Sequence, residues 1–112
     1  LFRQLDNILG TERDFTIKTI DNIRIKLNFD DVFYFESHGR YIIAHTLHGE
    51  FMTRQYRLKQ ILELFPAYFE QCHKSYIVNT RYIELIDPYA HLISLKKTKD
   101  KVPCNRNYRY IK

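Results

Sequence analysis

The chain has 112 residues, enough for one domain whose core needs no covalent staples, and its 45% apolar and 15% aromatic content with only 3 Gly and 3 Pro excludes a disordered or fibrous chain. No apolar run approaches the ~20 residues of a membrane span, no secretory-signal pattern is visible, and two cysteines without metal-type spacing read as reduced thiols of a cytosol. The net charge of +5 is unevenly placed: residues 1–70 hold 9 Lys/Arg against 10 Asp/Glu, whereas residues 71–112 hold 9 against 3. Such a concentrated basic segment is the footprint of a polyanion binder, with a solvated Lys-rich hairpin as the plainer alternative.

Residues 1–13 place Phe2, Leu5, Ile8 and Leu9 at helical spacing and run out near Gly10. This predicts the tail of a linker helix, and the Leu-Phe-Arg opening suggests a piece of a longer protein. From Asp14 the period becomes two. Phe15 and Ile17 alternate with Thr16 and Lys18, Ile23, Ile25 and Leu27 with Arg24 and Lys26, around a two-residue turn at Asp21-Asn22. Val32 to Glu36 reads as a strand with Phe33 and Phe35 on one side and Val32 and Tyr34 on the other. Ser37 to Arg40 then turns, Tyr41 to Thr46 is a strand, His48-Gly49 turns again, and Phe51 to Arg54 follows.

Arg57 to Phe65 is the convincing helix, because Leu58, Ile61, Leu62 and Phe65 share one face and Pro66 stops it. Strands resume at Phe69–Cys72, Tyr76–Val78 and Tyr82–Ile86, with a type I turn at Asp87-Pro88-Tyr89-Ala90. His91–Lys96 and Lys101–Cys104 are the last strands, separated by a turn at Lys97–Asp100, and Asn105 is expected to cap a final helical turn through Tyr110. Many short strands with frequent turns predict a mainly β domain with one or two short helices.

The most informative stretch is Cys72-His73-Lys74-Ser75-Tyr76-Ile77-Val78-Asn79, in which polar and cationic groups precede a β-favouring run. It resembles the His-Arg/Lys-Ser-Phe/Tyr-Ile-Val-Asn signature of the LytTR family, the DNA-binding domains of many bacterial response regulators. Asp30-Asp31-Val32-Phe33-Tyr34-Phe35-Glu36-Ser37 is similar to that family's Asp-Ile-hydrophobic-Tyr-Phe-Glu block, and Pro103-Cys104-Asn105-Arg106-Asn107-Tyr108 to its closing motif. The blocks stand in the family's order across residues 14–112, with the flavour of the quorum-sensing and peptide-pheromone regulators.

The resemblance implies an elongated stack of small antiparallel sheets that reads successive major grooves of double-stranded DNA through loops. It implies a domain at 14–112 behind a linker at 1–13 from an upstream receiver domain, tandem half-sites, a cognate histidine kinase, RNA polymerase as a further candidate partner, a cytoplasmic location and no cofactor. Carried onto this chain, the base-reading positions are Arg40 and Arg106, and Lys74 contacts backbone or base. The chemistry agrees independently. A guanidinium fork matches guanine O6 and N7, and Ser75, Lys96, Asn107 and Arg109 suit phosphate.

Other features are plainer. His45 and His48 are not expected to converge on a metal, for lack of a third ligand nearby in sequence. Cys72 and His73, adjacent in a strand, face opposite sides and cannot form a nucleophile–base dyad, while Cys104 is expected to be more exposed than Cys72. Asp30-Asp31 and Glu36 read as turn and structural acids, and no phosphate loop or catalytic carboxylate pair is present, so no enzyme is expected. Two competing readings are an RNA or single-strand binder using the 9 Tyr as stacking platforms, and a protein-interaction module docking an acidic partner.

Overall fold

The computed structural model describes residues 14–109, so the predicted linker helix and Tyr110 lie outside the described residues. Ten strands, β1 (Asp14–Lys18), β2 (Arg24–Asn28), β3 (Val32–His38), β4 (Tyr41–Thr46), β5 (Gly49–Thr53), β6 (Phe69–His73), β7 (Tyr76–Asn79), β8 (Ile83–Asp87), β9 (Leu92–Leu95) and β10 (Lys101–Pro103), form three antiparallel sheets. β1 and β2 make a hairpin, β5-β4-β3-β7-β6 a five-stranded sheet, and β10-β9-β8 a three-stranded one. Among the described residues these strands are joined by one α-helix, α1 (Leu58–Leu64), and by short 3₁₀ turns at Phe29–Asp31 and Thr80–Tyr82. The body measures 45 × 33 × 24 Å, which is the expected elongated stack.

The five-stranded sheet carries a separate core on each face. Val32, Phe35, Ile42, Ala44 and Ile77 pack with Ile61 and Phe65 of the helix segment and with Phe15 of the hairpin. On the other face Phe33, Tyr34, Cys72 and Val78 meet Ile93, Leu95, Val102 and Cys104. Ile61 is fully buried, so truncating it to Ala costs about 2–5 kcal/mol by cavity formation.

The expected alternation in β3 is corrected here. Val32 and Phe35 share one core and Phe33 and Tyr34 the other, because the β3–β4 register slips between Val32 and Tyr34. A β-bulge inserts one residue and flips the side chains beyond it. Cys104 is more exposed than Cys72, as expected, but both are buried (6% and 0%), since the three-stranded sheet closes over them. Burial pushes the Cys72 thiol up to about 12, helped by neighbouring Cys104, and raises Cys104 as well.

Two turns differ in length from the expectation, one shorter and one longer. His38 pairs with Tyr41, leaving the two-residue turn Gly39-Arg40 with Gly39 at φ 63°, as the first position of a type II′ turn requires. The first hairpin instead encloses three residues: Thr19 N–H donates to Ile23 O (2.8 Å) and Asn22 takes the left-handed conformation. No terminal helical turn forms among the described residues. After Cys104 the chain makes a reverse turn closed by Tyr108 N–H donating to Asn105 O (3.0 Å).

Asn79, the last residue of the signature, is wholly buried and structural. Its Nδ2 donates to Val32 O (2.9 Å) at the start of β3, and its Oδ1 accepts from Arg81 N–H (3.0 Å), capping the second 3₁₀ turn. The two 3₁₀ turns are in turn tied together, since Arg81 and Tyr68 both reach Asp30 Oδ1 (3.1 and 2.9 Å).

Candidate nucleic-acid interface

Three turns tipped with cations or amides come to neighbouring positions. Gly39-Arg40 lies beside Lys74-Ser75, because Ser37 N–H donates to Ser75 O (2.8 Å) as β3 and β7 pair. The Lys74 turn is set by the preceding signature residue, whose imidazole Nδ1 (His73) accepts from Ser75 N–H (3.1 Å). That bond occupies His73 and leaves no dyad with Cys72. The Asn105–Tyr108 turn is held against the same strand, β6, by Asn105 N–H donating to Cys72 O (2.7 Å) and by the Tyr108 hydroxyl donating to Glu70 Oε1 (2.8 Å).

Arg40 and Lys74 line one concavity of about 230 Å³ together with Ser37, Tyr41 and Arg57. Arg57 stands at the N-terminal cap of α1 and was not anticipated, nor was Arg54, whose guanidinium lies 5.2 Å from the centre of the Tyr41 ring. A second hollow of about 220 Å³ gathers Arg106, Arg109 and His91, with Cys104 and Tyr108 in its wall. Arg40, Arg57, Lys74, Arg106 and Arg109 are exposed, and none forms an ion pair among the described residues. Their charge is therefore available to a polyanion. Asn107 is exposed at the turn tip, and Ser75 is half-buried.

Lys96 is not brought to this face. It follows β9 at the end that pairs with Ile83, its N–H donating to Tyr82 O (2.8 Å), whereas Arg106 follows the Pro103–Leu92 end. At ~3.3 Å per step, the three steps of the four-residue β9 put about 10 Å between the two ends.

The loop beside the second hollow is firmly built. The Asp87 carboxylate accepts from Ala90 and Tyr89 N–H groups (3.0 and 2.9 Å), which hold its pKa below the usual carboxylate range. His91 closes that loop in the left-handed conformation (φ 57°), donating its N–H to Asp87 O (2.9 Å).

Among the described tyrosines, the hydroxyls of Tyr34, Tyr68, Tyr76, Tyr82 and Tyr108 bond to groups of the domain itself, and Tyr89 stands out as 94% exposed.

The family profile described as the LytTr DNA-binding domain matches residues 22–110. The chain belongs to the LytTR family. LytTR membership places it among DNA-binding domains of transcription regulators. A solved LytTr DNA-binding domain of a response regulator from Bacillus cereus superposes with a TM-score of 0.74 at 29% identity, covering 87% of this chain and 90% of that one. Accessory gene regulator protein A of Staphylococcus aureus is 29% identical over 108 residues, covering 89% of this chain and 42% of the relative. Transcriptional regulatory protein YpdB of Escherichia coli is 26% identical over 101 residues, covering 87% and 41%. This LytTR chain thus spans about two-fifths of the length of the curated relatives it matches. No described helix is long and apolar enough to cross a membrane.

Proposed function

We propose that this LytTR domain binds double-stranded DNA at specific sequences, as the cytoplasmic output domain of a two-component response regulator whose receiver domain is controlled by a histidine kinase. Arg40 and Arg106 read guanines through their forks, and Lys74, Ser75, Arg57, Asn107 and Arg109 hold phosphates. The observation that supports this reading is that three turns whose exposed cations form no ion pair among the described residues are held to neighbouring strands, the Arg40 turn beside the Lys74 turn and the Asn105–Tyr108 turn against β6. The 45 Å length also exceeds the ~34 Å helical repeat of DNA, enough to address two successive major grooves. Two copies on tandem half-sites, with RNA polymerase nearby, is the arrangement such a domain serves.

The test is selection of binding sites from random duplex DNA, followed by competition. One recurrent motif should emerge, and its duplex should outcompete both a scrambled duplex and either single strand. With the three phosphate-facing cations Lys74, Arg57 and Arg109 the log–log salt slope should be about −3. No recurrent motif, or preference for a single strand, would refute the proposal.

A further inference from the structure

His45 sits in the middle of β4, 7% exposed, and both its ring nitrogens face carboxylates. Nε2 is 2.9 Å from Glu36 Oε1, and Nδ1 is 3.0 Å from Glu50 Oε2. The ring lies flat against Tyr34, centroids 4.1 Å apart, and the Tyr34 hydroxyl donates to Asp100 Oδ2 at 3.1 Å. Three carboxylates therefore crowd one imidazole, and no Lys or Arg forms an ion pair with any of them among the described residues. The nearby Lys101 ammonium is turned to Ser94 Oγ instead (3.1 Å).

A neutral imidazole has one N–H and one lone pair. If Nε2–H donates to Glu36, the Nδ1 lone pair points at a Glu50 oxygen, acceptor against acceptor at 3.0 Å. A positive centre must lie between them, either a second proton or a metal ion. Two observations favour the metal. One ligand atom each from His45, Glu50 and Asp100 lie within 4.8 Å of one another, and the exposed Glu50 and Asp100 side chains can draw in to bond lengths of about 2.0–2.2 Å. Glu36 on Nε2 is also the arrangement by which a carboxylate orients and strengthens a metal-bound imidazole.

We propose that His45 Nδ1, Glu50 and Asp100 bind a divalent transition-metal cation of the zinc class, with water completing the coordination. An imidazole ligand selects against magnesium and calcium, which prefer all-oxygen sites. His45 and Glu50 belong to the five-stranded sheet, whereas Asp100 immediately precedes β10. The ion would staple the β9–β10 loop to the sheet, and β10 runs directly into the turn that carries Arg106.

The test uses the chelator-treated domain without DNA, titrated with zinc by calorimetry and with cobalt by visible absorption at neutral pH. One equivalent should bind, visible d–d bands should appear, and the melting temperature should rise. Glu50→Gln and Asp100→Asn, isosteric changes that keep an acceptor for His45 and for the Tyr34 hydroxyl, should each weaken binding at least tenfold and abolish the bands. His48→Gln, which removes the separate His48–Asp31 pair, should change nothing. Absence of one-equivalent binding would mean that a proton alone bridges His45 and Glu50. Binding that survives Glu50→Gln and Asp100→Asn, or is lost in His48→Gln, would place the ion elsewhere. Either result overturns the proposal.

Discussion

Arg106→Ala is the most discriminating perturbation of the proposed interface. The side chain is exposed and forms no ion pair among the described residues, while backbone bonds at Asn105 and Tyr108 hold the turn without it. Truncation should therefore change the unfolding free energy by no more than the ~0.5 kcal/mol typical of surface sites, so lost binding can be read as a lost contact. A bidentate guanine contact contributes about 1–3 kcal/mol of discrimination, so affinity for a selected duplex should fall roughly 5- to 150-fold. A scrambled duplex should lose far less, and Arg106→Lys should recover little because an ammonium lacks the fork. Fluorescence anisotropy with both duplexes at one fixed salt concentration is sufficient. Equal losses on the two would make Arg106 a phosphate anchor, and no loss on either would remove it from the interface.

Lys74→Ala should reduce the salt slope by ~1 across all duplexes, whereas Lys96→Ala, at the far end of β9, should leave it unchanged; equal effects in salt titrations would extend the interface along the β9–β10 loop. Asn79→Ala removes two bonds of a fully buried amide and a 3₁₀ cap, so urea unfolding should show a loss of about 2–4 kcal/mol, and a loss under 1 kcal/mol would contradict its structural role. With both thiols buried and raised, neither Cys72 nor Cys104 should react with iodoacetamide at pH 8 until the protein is unfolded; fast labelling of the native domain, read by mass spectrometry, would count against the closed core. Asp87 should titrate by NMR below the ordinary ~3.9, so its contribution is present above that value and lost as pH falls through the lowered one; a pKa at or above 3.9 would mean the Tyr89 and Ala90 bonds do not persist in solution.

Periodicity carried most of the strands and the helix because each has one face against a core. Ile17 and Leu27 are buried while Thr16 and Lys26 are not, as alternation demands. The β3 pattern misled because Val32 to Phe35 is apolar throughout, so sequence alone cannot show where a bulge shifts the phase. The final turn misled because Asn105 caps helices and initiates reverse turns equally well, and its anchor, the Cys72 carbonyl, is distant in sequence. Counting charge by segment hid Arg57 and Arg54, which lie in a stretch of net negative charge, yet Arg57 shares a hollow with Lys74 and Arg54 stacks on Tyr41 in its wall. Asp100 likewise meets Glu50 and His45 through the packing of one sheet on another, which no local spacing encodes.

The five-stranded sheet is a wall shared by two cores, and this has a consequence for how the domain comes apart. Phe35 faces the helix side and Tyr34 the three-stranded side on consecutive residues of one strand, so neither core can loosen without disturbing the backbone that the other rests on. Two such cores joined by a linker would melt separately. Joined back to back, they should unfold in a single transition, with phenylalanine-side and tyrosine-side probes giving the same midpoint.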